Sequence, residues 1–154
     1  MDDVKARIGM AKDAFNKRRE LLIKSFSKDL KKRMIKTLVW PVAMYASETW
    51  TLRKQDVDRL NAFEMWTWRK MERVSYLDRK TNEEVLSSVG EKRSFTDAIL
   101  NRKKNWIGHV LRGEGMLKQS IEGRMEGKKR RGRPRIGMID DLKESSYVEM
   151  KRRG

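Results

Sequence analysis

The chain has 154 residues, no cysteine, one histidine, and 38 lysine and arginine side chains against 22 acidic ones, for a net charge of +16. The missing thiols exclude disulfides, thiolate zinc sites and cysteine nucleophiles, and one imidazole cannot build a histidine metal site, so no metal or cofactor is expected. A surplus of this size repels itself unless polyanions neutralise it, which makes DNA or RNA the expected partner.

The longest apolar run, Leu38 to Ala46, is far short of the roughly 18 residues that a membrane-spanning helix needs. Met1-Asp2-Asp3 is an acidic start, unlike a secretory leader. The expected setting is therefore intracellular, with no membrane and no secretion.

In chain order, Val4, Ile8, Ala11, Phe15 and Leu22 recur on one face of a first amphipathic helix, with Lys5, Lys12, Lys17, Arg18 and Arg19 largely off it. Ser27 is placed to cap a second helix with Leu30, Met34, Ile35 and Leu38 as its apolar face, which Pro41 should end or kink. From Asp56, the positions Leu60, Phe63, Thr67, Met71 and Val74 mark the strongest core helix. Thr81-Asn82-Glu83-Glu84 has the form of a capping box, and the helix it starts should stop at Gly90. Ser94-Phe95-Thr96-Asp97 opens another, carrying Phe95, Ile99, Trp106 and Val110 on one side as far as Gly113. Beyond Gly115 the sequence suggests a short extended element over Ile121 to Gly127, a solvated basic loop, and a last helix over Asp140 to Arg153.

Charge follows this order unevenly. Residues 1–36 carry 12 basic against 5 acidic side chains, residues 37–90 carry 8 against 8, residues 91–118 carry 7 against 3, and residues 119–154 carry 11 against 6. The expectation is a neutral middle flanked by basic arms.

Lys128-Lys129-Arg130-Arg131-Gly132-Arg133-Pro134-Arg135 is the densest basic segment. Arg131-Gly132-Arg133-Pro134 has the form of an AT-hook: two guanidinium groups on an extended backbone can enter a narrow A·T minor groove, where negative potential is concentrated. Glycine lets the backbone sit deep and proline keeps it extended. Lys128, Lys129, Arg130 and Arg135 would then meet phosphates. A generic phosphate-tracking loop and a nuclear-import signal are the competing readings of the same residues.

Residues suggestive of catalysis are few. Asp140-Asp141 has the outward form of a polymerase metal pair, but two-metal chemistry needs carboxylates converging from separate strands, and acids at a helix start are favoured for structural reasons. His109 has no sequence-adjacent Ser, Asp or Glu to make it a general base, so a phosphate or base contact suits it better. Among the tryptophans, Trp66 and Trp106 fall on or beside apolar stripes and suit the core, while Trp40, Trp50 and Trp68 are open between core packing and base stacking.

Five stretches in one order carry a wider similarity: Pro41 to Trp50, Leu60 to Trp66, Asp78 to Leu86, Trp106 to Arg112, and Gly132 to Arg135. Together they resemble the C-terminal region of non-LTR (LINE-type) retrotransposon reverse transcriptases, downstream of the polymerase palm, over about Arg7 to Lys151. Ala46-Ser47 and Thr67 depart from positions where such sequences often carry Gly, Cys or both, and Tyr76-Leu77 stands where Trp is common. The resemblance implies a helical thumb with a basic extension that grips template RNA, primer DNA or their hybrid. It also implies that the polymerase aspartates lie upstream of this region, so that the chain is a non-catalytic remnant.

The combined expectation is a mainly α fold, a small bundle of about five helices over residues 1–118, followed by a basic, partly irregular extension over residues 119–154. Nucleic acid would be held by Arg102, Lys103, Lys104, His109 and Arg112 on the helical part and by Lys128 to Arg135 beyond it.

Overall fold

A computed structural model describes residues 2–20, 26–122, 132 and 136–142. The fold is mainly α, and the described residues contain no strand. Its elements are α1 (Asp2–Lys17), α2 (Lys28–Met34), a π-turn (Ile35–Val39), α3 (Trp40–Ala43), a 3-10 turn (Ser47–Thr49), α4 (Lys54–Met71), a 3-10 turn (Tyr76–Asp78), α5 (Asn82–Val89), α6 (Phe95–Arg112), α7 (Met116–Glu122) and a last 3-10 turn (Asp140–Leu142). They fall into two compact units, one of Met1–Tyr45 with Arg53–Ala98 and the other of Ala46–Leu52 with Ile99–Gly154.

In the first unit α1 buries Val4, Ala11 and Phe15 of its expected apolar face, with Ile8 partly buried, and packs on α3, the π-turn and α4; Leu22 lies outside the described residues. The Ser27 hydroxyl accepts from the Leu30 amide at 3.4 Å and caps α2. Pro41 neither ends the helical path nor interrupts it. The chain widens into the π-turn just before it, and Pro41 then sits in the first turn of α3, where its missing N–H costs nothing. The extra residue in that turn changes which side chains face inward. The expected face of Leu30, Met34, Ile35 and Leu38 is replaced by Ile35, Val39, Trp40 and Ala43, while Leu30 and Leu38 are exposed.

The core of this unit is aromatic. Trp40 meets Trp68 and Phe95 edge-on at 5.8 and 5.0 Å, and Phe63 meets Phe95 at 5.4 Å, geometries that suit the ring quadrupoles. Thr81 and Glu84 form the expected capping box at the start of α5, and Gly90 ends that helix with φ +68.

Among these rings lies Glu64, fully buried, whose Oε1 accepts from the backbone amides of Ser94 and Phe95 at 3.0 and 3.2 Å, at the start of α6. Burial pushes its carboxyl above the ordinary value of 4.5, against the opposing pull of those two amides. The folded state therefore holds a proton that the unfolded state releases. This contribution to stability is complete below about 4.5 and is lost as pH rises through the raised folded value. Glu64→Gln keeps the acceptor and removes the charge, so the fall in melting temperature just above pH 4.5 should flatten relative to the wild type. Thermal melts of both proteins across a pH series check this, and identical slopes would assign the pH dependence to another group.

In the second unit Ile107, Leu111 and Leu142 are buried together, with Leu100, Trp106, Ile121, Met138 and Ile139 packed around them. Ile121 and Glu122 complete α7, so the extended element expected from Ile121 does not form at these two residues: Met116 to Glu122 contains no proline or glycine, and Ile121 faces the cluster from a helix. Asp140–Leu142 is a 3-10 turn at the point where a last helix was expected, and residues 143–153 lie outside the described residues. Ala46 adopts φ +59, a left-handed conformation that glycine takes without strain.

Trp66 and Trp106 pack where their helical spacing places them, Trp66 against Phe15 and Phe63 and Trp106 against the Ile107 cluster. Trp40, Trp50 and Trp68 are buried, whereas Trp66 and Trp106 are partly exposed at the edges of their clusters.

Candidate nucleic-acid interface

On α6, positions 102 and 109 are seven residues apart and share a face, with position 112 beside them. All three of Arg102, His109 and Arg112 are exposed there, and Arg102 is ion-paired with Glu48. Lys104 is partly exposed on another side of the helix.

Lys103 does not belong to this surface. It is 0% exposed, and its ammonium lies 2.7 Å from both carboxylate oxygens of Asp141 and donates to the Trp50 carbonyl. One Asp141 oxygen also accepts from the Leu52 amide at 3.1 Å. A lysine in a basic run was expected to meet phosphate, but helix periodicity turns this one inward while its neighbours face water.

The same contacts define the Asp140-Asp141 pair. Asp141 holds Lys103, and Asp140 accepts from the Gly137 amide at 2.6 Å. Both carboxylates are thus engaged with their own chain. Among the described residues no group of three or more acidic or histidine side chains is placed to hold a metal ion.

Of the AT-hook-like segment only Gly132 is described; it is exposed and has φ +119, a conformation that L side chains rarely adopt. Lys128, Lys129, Arg130, Arg131, Arg133, Pro134 and Arg135 lie outside the described residues.

The first unit carries a basic concavity in a stretch that the linear charge count made neutral. The last turn of α4 and the residues after it bring Arg69, Lys70 and Arg73 beside Arg19, around a cavity of about 540 Å³ whose lining contains no acidic side chain. Arg69 also ties down the chain that follows, donating to the Lys80 carbonyl at 2.8 Å and to Asn82 Oδ1 at 3.0 Å. Five of the eight acids of residues 37–90 are engaged away from this cavity, while Asp58 and Glu83 are exposed. Glu64 is buried, and Asp56 is buried and paired with Arg59 at 3.0 Å; Glu72 meets Lys28 at 3.1 Å, while Asp78 and Glu84 cap turns.

The lining combines these four cations with Phe15, Asn16, Val74 and Ser75, and its charge favours an anion over a cation. Sequence reading passed over Arg19, Arg69, Lys70 and Arg73. The available signal was local: three of these cations fall within five residues at the end of a helix.

No protein-family model, curated protein or solved structure matches this chain. Among the described residues, no helix is long and apolar enough to cross a membrane.

Proposed function

We propose that this chain is a non-catalytic nucleic-acid-binding element of the kind found in the C-terminal region of non-LTR retrotransposon reverse transcriptases, acting in the nucleus or in a cytoplasmic ribonucleoprotein. It holds template, primer or their hybrid through phosphate contacts. The observation that carries this reading is the acid-free concavity of Arg19, Arg69, Lys70 and Arg73 on a chain of net charge +16. Arginine suits the task because its planar fork matches phosphate geometry, and each phosphate neutralised releases condensed counterions. The exposed face of Arg102, His109 and Arg112 adds a second basic surface.

The test is equilibrium binding of the full chain to RNA-DNA hybrid, A·T-rich duplex and G·C-rich duplex at several salt concentrations. If four to six phosphates are engaged, log affinity should fall with log salt at a slope of roughly −4 to −5. A salt-independent affinity, or none, would refute the reading. Mg²⁺-dependent primer extension by this chain alone would overturn its non-catalytic part.

A second reading has support from one position. Gly132 is exposed at φ +119, where a side chain would be strained, so this position between Arg131 and Arg133 favours glycine. In that reading Arg131 and Arg133 enter the minor groove of A·T-rich duplex, and Arg133→Ala should abolish any preference for A·T over G·C in the same assay.

A further inference from the structure

The loop between α4 and α5 is built to display rather than to bury. Tyr76 is 95% exposed and Leu77 is 86% exposed at the tip of a short 3-10 turn. That tip is held from both sides. Ser75 accepts from the Leu77 amide at 3.3 Å, Asp78 accepts from the Ser75 amide at 2.7 Å, and the Val74 amide returns to the Arg69 carbonyl at 2.9 Å. The Tyr76 ring contributes nothing to the core and is open to a flat partner from solvent.

Two arginines frame the turn in a conformation that disfavours them. Arg73 has φ 56 and Arg79 has φ 47, both in the left-handed region where glycine is the unstrained choice. Arg79, Lys80 and Arg69 line a cavity of about 630 Å³ together with Val74 and Tyr76, again with no acid. Arg69 and Val74 also line the neighbouring basic cavity, so cations flank the exposed ring in both directions.

We propose that this loop binds single-stranded nucleic acid, with one unpaired base stacked on the Tyr76 ring and phosphates on either side held by Arg69 and Lys70 and by Arg79 and Lys80. This rests on the nucleic-acid reading above and adds the strand form and the place. A paired base offers no free face to a ring on a turn, whereas an unpaired one does, and stacking accepts any base. An acidic peptide could satisfy the cations but would leave the ring without a flat partner.

Fluorescence anisotropy of the full chain with a labelled oligo-dT strand, a duplex of equal length, and poly-glutamate as competitor tests this. Tyr76→Ala should weaken oligo-dT binding about tenfold with duplex affinity unchanged, and Tyr76→Phe should keep wild-type affinity because the ring face remains. Arg79→Gly relieves the left-handed strain, so its melting temperature should stay level or rise while oligo-dT affinity and the salt slope both fall. A slope lower by about 0.7 would correspond to one lost single-strand phosphate. Equal oligo-dT affinity of Tyr76→Ala and wild type would overturn the inference, as would equal losses on strand and duplex, or displacement of oligo-dT by poly-glutamate at matched charge. Loss of this inference leaves the broader reading standing when the duplex or hybrid is still bound; a chain that binds no nucleic acid removes both.

Discussion

Lys103→Met is expected to destabilise the unit formed by Ala46–Leu52 and Ile99–Gly154 by about 3–5 kcal/mol, because removing one partner of a buried ion pair leaves the other charge uncompensated. Methionine keeps the length of the side chain, so the loss is electrostatic more than steric. Asp141 would retain the Leu52 amide but lose its countercharge, and the Trp50 carbonyl would lose its charged donor. Urea denaturation measures the total, and hydrogen exchange locates it: amides of residues 46–52 and 99–112 should lose protection before those of α4. Adding Asp141→Leu should recover most of the loss, since a pair replaced together by apolar groups is often neutral. Failure of the double variant to recover would mean that Lys103 stabilises through packing instead. A surface phosphate ligand predicts the reverse pattern, with stability unchanged and affinity lost.

Phe63→Ala should cost about 3–5 kcal/mol in the other unit, in the range for deleting a fully buried aromatic ring. Phe63 is stacked near Trp66 at 6.3 Å and edge-on to Phe95, so the variant loses buried area and ring contacts together. The cavity would border Glu64 and Thr67 on the same helix, and neither can relax into it without breaking a hydrogen bond: Glu64 to the start of α6, Thr67 to the Glu64 carbonyl at 2.7 Å. Against a typical stability of roughly 5–15 kcal/mol, this is enough to abolish a cooperative thermal transition at the low end of that range. Calorimetry gives the outcome directly. A loss below about 1 kcal/mol would mean that the aromatic cluster is not the core described.

The helices were legible where local chemistry dictates them. Capping residues at Ser27 and Thr81, the stop at Gly90 and the stripe from Leu60 to Met71 each act through neighbours three or four positions away and formed as expected, whereas Val74, expected on the same stripe, lies beyond the end of α4. The apolar face of α2 was not, because the π-turn ahead of Pro41 inserts a residue into a periodicity that sequence reading holds constant. Trp66 and Trp106 lie beside apolar stripes and yet remain partly open, because burial depends on what packs opposite.

The site was legible in sign but not in place. Net charge +16 points to a polyanion, while a running count of charges along the chain treats every carboxylate as a surface carboxylate. In residues 37–90 that assumption fails: acids such as Asp56 and Glu64 are drawn inward or spent on caps, so the basic side chains around Arg69 and Arg79 dominate their own surface. Lys103 shows the converse, a cation counted as surface charge that pairs with an acid 38 residues further on.

Residues 136–142 follow the basic stretch in the chain, yet Met138, Ile139 and Leu142 complete the apolar cluster around Ile107, and Asp141 neutralises Lys103. A stop codon placed to remove the basic stretch would therefore also strip that cluster of its cover and leave an ammonium ion inside it. An in-frame deletion of residues 123–135 would remove the basic stretch and keep the residues that make those contacts. Nonsense and in-frame alleles of equal charge should thus differ sharply in protein abundance, the first cleared by proteolysis and the second retained.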